Sequence, residues 1–197
     1  MITTPEPKYI AKNWEITTDP GVEPVTLDEV KTFARIDGGD EDTLIEDIIV
    51  AVREAMEFYL GRSLVDRTIT MTIDEWQEKE IELPMPPLVS ITSVSTLDED
   101  DSATIYNASN YYVVTEAIPG QIVIKQDVSL PNNVDRDVAG YRIIYVAGYG
   151  SQASNVPAAI RMAMMQWATM IYETRAITTE PPASVKRTLD LYKVVKL

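Results

Sequence analysis

Apolar residues recur at helical spacing in a segment that begins just after residue 26. Thr26 precedes this segment and Glu29 follows three residues later, a spacing that predicts a capping box at the start of a helix. Val30, Phe33 and Ala34 form the apolar stripe expected for this helix. The glycines within residues 37–39 mark its end.

A second helix is predicted over about residues 40–60, and Gly61 marks its end. Its acidic first turn complements the helix dipole, and the ligand spacing of an EF-hand calcium loop is missing there. The positions expected to be buried recur every three or four residues. They are Leu44, Ile48, Ala51, Val52, Ala55, Met56 and Tyr59.

From Val65 the period of the pattern changes to two. Ile69, Met71 and Ile73 alternate with polar residues, which predicts a half-buried strand. The next long strand loses its alternation near residues 92–93, and this slip is typical of a β-bulge. Shorter strands are expected at 80–84, 104–106, 111–115, 121–125 and 141–146. Short strands separated by turn signals favour an antiparallel sandwich or a small barrel.

Helical spacing returns after Val156, with Pro157 expected in the first turn. The buried positions predicted for this helix are Ile160, Ala163, Met164, Trp167, Ile171 and Tyr172. The last residues predict a short helix or an extended tail.

The order of these elements predicts an α+β fold. In this fold the N- and C-terminal helices form a helical core, and an antiparallel lobe resembling a β-sandwich or barrel is inserted between them. The expected divisions are an extended arm at 1–23, a helical pair at 24–64, the β lobe at 65–147, a core helix at 148–176 and a tail or helix at 177–197.

Composition narrows the chemistry that the chain can perform. Its 197 residues include no cysteine and no histidine, which excludes disulfides, thiolate nucleophiles and imidazole acid–base or metal chemistry. The net charge of -14 argues against a broad nucleic-acid surface, because phosphates require facing cations. No apolar run is long enough to span a membrane, and the first residues lack the pattern of a signal peptide. A protein made and used, or assembled, in the cytosol is expected.

Residues 148–153 match the G-x-G-x-x-G/A fingerprint of dinucleotide-binding loops. That site needs its glycines at the strand-to-helix turn, so that the helix N-terminus meets the pyrophosphate. Here the helix is expected to begin several residues later, near Val156, and no regular βαβ repeat surrounds it. The favoured interpretation is a long turn, with Ser154 or Asn155 capping the following helix.

A run of four carboxylates at residues 98–101 could bind a cation or serve glycoside hydrolysis. A glycosidase needs two carboxylates that face each other across a cleft, whereas a consecutive run on a turn points outward. A solvated turn is therefore the favoured interpretation.

Three tyrosines of the predicted β lobe, Tyr106, Tyr111 and Tyr112, could bind a glycan. Packing on the surface of the strands is the favoured interpretation, because aromatic residues are common in strands.

The C-terminal segment is basic in an otherwise acidic chain. Residues 185–197 contain four positively charged side chains and one negatively charged side chain, Asp190. Such an end could dock to an acidic partner surface, or it could be a helix end whose cations suit the helix dipole. The residues expected to form a docking tail are Val185, Lys186, Arg187, Leu189, Leu191, Tyr192, Lys193 and Lys196. If this tail only docks, deleting residues 185–197 is expected to abolish docking and leave thermal stability nearly intact.

Several segments, in their order and spacing, resemble the tailed-phage head–tail connector proteins, which are also called adaptor or head-completion proteins. The segments that carry the resemblance are PVTLDEVKTFARID (24–37), YLGRSL (59–64), LPMPPLVSITSVSTLDEDDSA (83–103), NYYVV (110–114), GQIVI (120–124) and YRIIYVAGYGSQASNVPAAIRMAMMQWATMIYETR (141–175). The resemblance covers about residues 23–175.

The resemblance implies a structural virion protein at the neck, made in the host cytoplasm. Connectors of this kind form a homo-oligomeric ring, commonly dodecameric, beneath the portal protein. The ring extends the DNA channel without sequence-specific binding and provides the attachment surface for a tail-side stopper or tail-completion protein. This role implies no catalytic, cofactor-binding or metal-binding residues and no membrane, and it assigns portal docking to the C-terminal tail.

Two features of the sequence suit this role. An acidic chain suits a channel that DNA passes without adhering, and a small sheet with edges suits pairing between subunits. The alternative function is a carbohydrate-binding module or a carboxylate-based hydrolase on the β lobe.

Overall fold

The computed structural model describes residues 12–76, 78–132, 136–176 and 178–194. The helices in these ranges are α1 Leu27–Ala34, α2 Asp42–Leu60, α3 Ala158–Thr174 and α4 Ala183–Leu189. The strands are β1 Lys12–Ile16, β2 Arg67–Ile73, β3 Glu80–Glu82, β4 Leu88–Leu97, β5 Ala103–Ile105, β6 Tyr111–Val114, β7 Gln121–Ile124 and β8 Tyr141–Ala147. Within these ranges, no helix has both the length and the apolar character that a membrane crossing requires.

The strands form two open antiparallel sheets. The larger sheet has the order β1-β2-β8-β4-β5, and the smaller has the order β3-β7-β6. Along β2 and β8 buried residues alternate with half-buried ones, as the period of two predicts. Ile69 and Ile143 of the larger sheet and Ile122 of the smaller belong to one apolar cluster, so the sheets share a core.

The predicted bulge in β4 is confirmed. Its pairing register with β8 shifts between Ile91 and Ser93, and again between Leu88 and Ser90. Two residues of β4 therefore oppose one of β8 at each place, which interrupts the alternation of the sequence pattern.

A second apolar cluster lies among the helices. The α3 helix packs against α1, α2 and α4, and its Trp167 and Met164 are fully buried. Helices from both ends of the chain therefore share one core, and the strands β2–β8 lie between them in sequence. The predicted α+β fold is confirmed.

The start of α1 has the predicted capping box. The Glu29 amide donates to Thr26 Oγ1 at 3.2 Å, and the Thr26 amide donates to Glu29 Oε2 at 2.9 Å. Only part of the predicted stripe is buried, because Val30 lies in the core whereas Phe33 is exposed.

The buried face of α2 differs from the predicted one. Leu44 and Ala51 are exposed, and Ile45 and Ile49 are buried in their place. Apolar residues occur on more than one side of this helix, so spacing alone does not select the side that faces α3.

The N-terminal arm contributes a strand that its sequence pattern does not predict. Residues 12–16 form β1, which pairs with β2 at the edge of the larger sheet. The segment lacks a clear period because its described side chains, from Asn13 to Ile16, are all exposed.

Candidate docking surface

The C-terminal segment is anchored to the helical core. Val185 and Leu189 of α4 are fully buried in the helical cluster, and Tyr192 packs against that cluster. Beyond α4 the Val194 amide donates to the Leu60 carbonyl at 2.9 Å, which ties the segment to the C-terminal end of α2.

Tyr59 of α2 is the centre of the polar contacts that hold this segment. Its hydroxyl donates to the Asp190 carboxylate, which raises the pKa of Tyr59 to about 12. Lys193 Nζ lies 4.2 Å from the centroid of the Tyr59 ring, and Lys186 Nζ lies 5.8 Å from it. Both ammonium groups lie within the range in which a ring face attracts a cation.

Two large exposed apolar side chains are neighbours of this contact in the sequence. Phe58 precedes Tyr59 and is 88 % exposed, and Leu191 follows Asp190 and is 82 % exposed. Exposed apolar groups of this size mark interaction surfaces when polar groups surround them. We call the surface formed by Phe58, Tyr59, Lys186, Arg187, Leu191 and Lys193 the tail patch.

The residues predicted to form a docking tail therefore divide into two groups. Val185, Leu189 and Tyr192 face the protein, whereas Lys186, Arg187, Leu191 and Lys193 are exposed. Lys196 lies outside the described residues. The expectation that deleting residues 185–197 leaves stability nearly intact is wrong, because the deletion removes two fully buried side chains from the helical core.

The glycine-containing loop after β8 joins the sheet to the helices. Gly148 has a φ of +152°, and a Cβ there would lie 2.4 Å from the Asp66 backbone nitrogen. The Gly148 amide donates to the Pro87 carbonyl at 2.9 Å, and the Asp66 amide donates to the Gly150 carbonyl at 3.1 Å. Gly148 thus permits close packing of two backbone segments, which is the chain-turning role that the sequence favoured.

The capping predicted for this loop is wrong in detail. Pro157 is the N-cap of α3, which begins at Ala158. Asn155 Oδ1 instead accepts from the Gln152 amide at 3.0 Å, within a short 3-10 turn that precedes the helix. The helix N-terminus therefore lies several residues beyond Gly150, unlike that of a dinucleotide site.

The carboxylate run forms a hydrogen-bonded turn. Asp98 Oδ1 accepts from the Asp100 amide at 3.0 Å and from the Ser102 amide at 2.8 Å, and Asp101 pairs with Arg136. Across the described residues, no three carboxylates lie close enough together to hold a metal ion.

The three tyrosines do not form one exposed platform. Tyr111 is buried and stacks on Tyr106, with ring centroids 6.3 Å apart. Tyr112 points to solvent, and Lys125 Nζ lies 4.9 Å from the centroid of its ring.

A buried ionic cluster lies where the helices meet the larger sheet. Glu57 of α2 accepts from Arg67 of β2 at 2.8 Å and from Arg53 at 3.1 Å, and the Leu64 amide donates to it at 2.8 Å. Arg53 also donates to Glu23 of the arm at 2.8 Å. Burial raises the pKa of the Glu57 carboxyl, and its three donors oppose that shift. The pattern of the sequence does not predict this cluster; its one sequence signal is the i,i+4 spacing of Arg53 and Glu57.

A helical core with a β lobe inserted between its helices in sequence, and with exposed apolar and basic side chains, has the features of a subunit that binds other proteins. A sequence model of the head completion protein family matches residues 23–193, and the chain belongs to this family. The resemblance to head–tail connectors is confirmed, and the protein has a structural head–tail connector role. The match begins at the expected residue but continues past residue 175, so α4 and the following residues to Lys193 belong to the family pattern.

Solved structures with the same fold come from gene transfer agent particles. One is from the neck of an empty particle computed with C6 symmetry; its TM-score is 0.81 at 19 % identity, over 94 % of this chain and 97 % of that chain. Another is from the virion of a native particle, with a TM-score of 0.79 at 19 % identity over 93 % and 96 % of the two chains. A third is from the neck of a native particle computed with C12 symmetry, with a TM-score of 0.72 at 17 % identity over 94 % and 97 %. No curated protein matches the sequence.

Proposed function

We propose that the protein forms a ring at the neck of a virion, between the portal protein and the tail-side stopper or tail-completion protein. The observation that carries this proposal is the fold that nearly the whole chain shares with components of particle necks computed with C6 and C12 symmetry. Rings of identical subunits need a head-to-tail interface in which two different surfaces of the chain meet. A dodecamer fits the C12 symmetry of one of these necks.

The ring extends the DNA channel, and its charge suits this task. A net charge of -14 per chain repels the phosphate backbone, so DNA passes without adhering to the wall. The role is structural and includes no catalytic step.

The tail patch is the surface that we assign to the portal. The tail patch carries positive charge, whereas the chain as a whole has a net negative charge. Phe58 and Leu191 add exposed apolar area to the patch. A fitting partner surface has an apolar groove rimmed by acidic residues, because charge complementarity steers the encounter and buried apolar area holds it.

The anchoring of α4 supports this assignment. Val185 and Leu189 fix the segment to the core before docking, so Leu191 and the cations start from one defined position. Pre-organisation of this kind lowers the entropy lost on binding.

Imaging tests this proposal directly. The protein is mixed with purified portal protein, and the complex is examined by electron microscopy. The expected result is a ring beneath the portal, coaxial with its channel, with the tail patch facing the portal. A protein that stays unbound at high concentration, or binds without forming a ring, would contradict the proposal.

A further inference from the structure

Strand β1 is held to the rest of the protein by main-chain hydrogen bonds. It lies antiparallel to β2, with Trp14 opposite Met71 and Ile16 opposite Ile69. The ladder continues one residue further, where the Thr17 amide donates to the Thr68 carbonyl at 3.0 Å. Bonds of this kind depend on the backbone of β2 and require no particular side chain.

The side chains of β1 add little to this attachment. Of those that the structure describes, Asn13 to Ile16, none belongs to either apolar cluster. Trp14 and Ile16 oppose fully buried residues of β2, yet they are 44 % and 38 % exposed. Uncovered apolar residues at a sheet edge favour association with another chain.

The connection from β1 to the helical core is exposed and weakly held. Beyond Thr17, which belongs to the ladder, residues 18 and 19 are exposed, and nothing lies within 4 Å of the position that a Cβ at Gly21 would occupy. The first firm anchors are the ion pair of Glu23 with Arg53 and the fully buried Val25. Eight residues lie between Ile16 and Val25, so the connection reaches about 30 Å when extended.

The family match begins at residue 23 and therefore excludes β1. Every copy of the chain brings both the strand and the β2 edge that receives it.

We propose that β1 is exchanged between neighbouring subunits in the ring, so that the β1 strand of each subunit pairs with β2 of the next. This inference rests on the proposed ring. Exchange preserves the β1–β2 ladder, because the accepting edge has the same sequence in every subunit. It places Trp14 and Ile16 at the boundary between subunits, where both can be covered. A ring in which each subunit passes its strand in the same direction leaves no β2 edge unpaired.

Cysteine cross-linking tests the exchange, and the native chain contains no cysteine that could interfere. Glu15 and Thr70 are directly opposed in the β1–β2 register, so Glu15→Cys with Thr70→Cys places two thiols at disulfide distance. The matched control is Thr70→Cys with Ile144→Cys, since this pair joins β2 to β8 within one subunit in either arrangement. Both variants are oxidised as free protein and after assembly with portal, and are then run on denaturing gels.

The exchange predicts that the assembled Glu15→Cys/Thr70→Cys variant gives mainly covalent dimers and larger species, while the control stays monomeric. Rings that form normally but contain only intramolecular cross-links would overturn the exchange and leave the proposed function standing. A failure of both variants and the unmodified protein to form rings would contradict the proposed function and, with it, the exchange.

Discussion

The carboxylate of Glu57 in α2 lies 2.8 Å from the guanidinium of Arg67 at the start of β2, and both side chains are almost fully buried. This contact joins the helical core to the larger sheet. Arg53 extends it to Glu23 of the N-terminal arm, so one cluster of charges fixes three parts of the chain.

Replacing Glu57 by alanine is expected to lower the free energy of unfolding by about 3–5 kcal/mol, because two buried guanidinium groups lose their shared carboxylate. Urea denaturation followed by circular dichroism measures the change. Glu54→Ala is the matched control on the same helix, since Glu54 is 65 % exposed and lies 3.7 Å from Arg53. The control should stay within about 0.5 kcal/mol of the native protein. If Glu57→Ala and Glu54→Ala lowered the free energy of unfolding equally, the buried ionic cluster would contribute no more to stability than an exposed ion pair.

The C-terminal segment offers a second pair of matched variants. Leu189→Ala should lower the free energy of unfolding by about 2–5 kcal/mol, because it opens a cavity in the helical core. Leu191→Ala removes the same atoms from a side chain in solvent and should change stability by less than about 0.5 kcal/mol. Thermal unfolding of both variants is the measurement. Native-like stability of Leu189→Ala would mean that α4 does not pack as described.

The Tyr59–Asp190 hydrogen bond predicts a dependence of stability on pH. It raises the pKa of Tyr59 to about 12, against an ordinary value near 10, so the folded protein favours the neutral phenol. The stabilisation is therefore complete below about pH 10 and is lost as the pH rises through 12.

Tyr59→Phe isolates this effect from the ionisation of other groups. The variant should be less stable than the native protein at pH 9, and the difference should shrink as the pH approaches 12. Chemical denaturation of both proteins across this range provides the comparison. If the difference in stability between Tyr59→Phe and the native protein stayed constant with pH, the hydrogen bond would not have the role assigned to it.

Phe58 tests the docking surface. Phe58→Ser should weaken binding to the portal at least about tenfold, because an exposed aromatic residue that becomes buried is a common hot spot. Its stability should stay unchanged, since the native side chain is in solvent. Binding is measured by biolayer interferometry on immobilised portal. Val138→Ser is the control, because Val138 is an exposed apolar residue of the β lobe. If Phe58→Ser and Val138→Ser bound the portal with similar affinity, Phe58 would not be part of the docking surface.

The elements of this fold could be predicted where local chemistry determines them. Thr26 and Glu29 cap α1 through bonds between each side chain and the other's backbone amide, so four residues of sequence suffice to place the helix start. The alternation of Ile69, Met71 and Ile73 likewise follows from one buried sheet face. The bulge in β4 could be located because its register shift disturbs the same alternation.

Features that depend on distant partners could not be predicted in the same way. Glu57 is buried only because Arg67 and Arg53 neutralise it, and a single acidic residue on a helix normally indicates an exposed face. Leu189 and Leu191 are chemically identical two residues apart, and only the position of the helical core decides which one is buried. The strand β1 has no apolar period because the ladder with β2 determines its position, not a buried face.

The route of the chain has a consequence for its synthesis. The helical cluster is built from residues 25–65 and from residues 156–189, and the strands β2–β8 are made between these two parts. At about 5–20 residues per second, the roughly 90 intervening residues take about 5–20 s to translate. During that time Val30, Ile49 and Met56 remain exposed, because α3 with Trp167 has not yet been synthesised. The nascent chain therefore leaves the ribosome with an apolar helix pair that its partner helix does not yet cover.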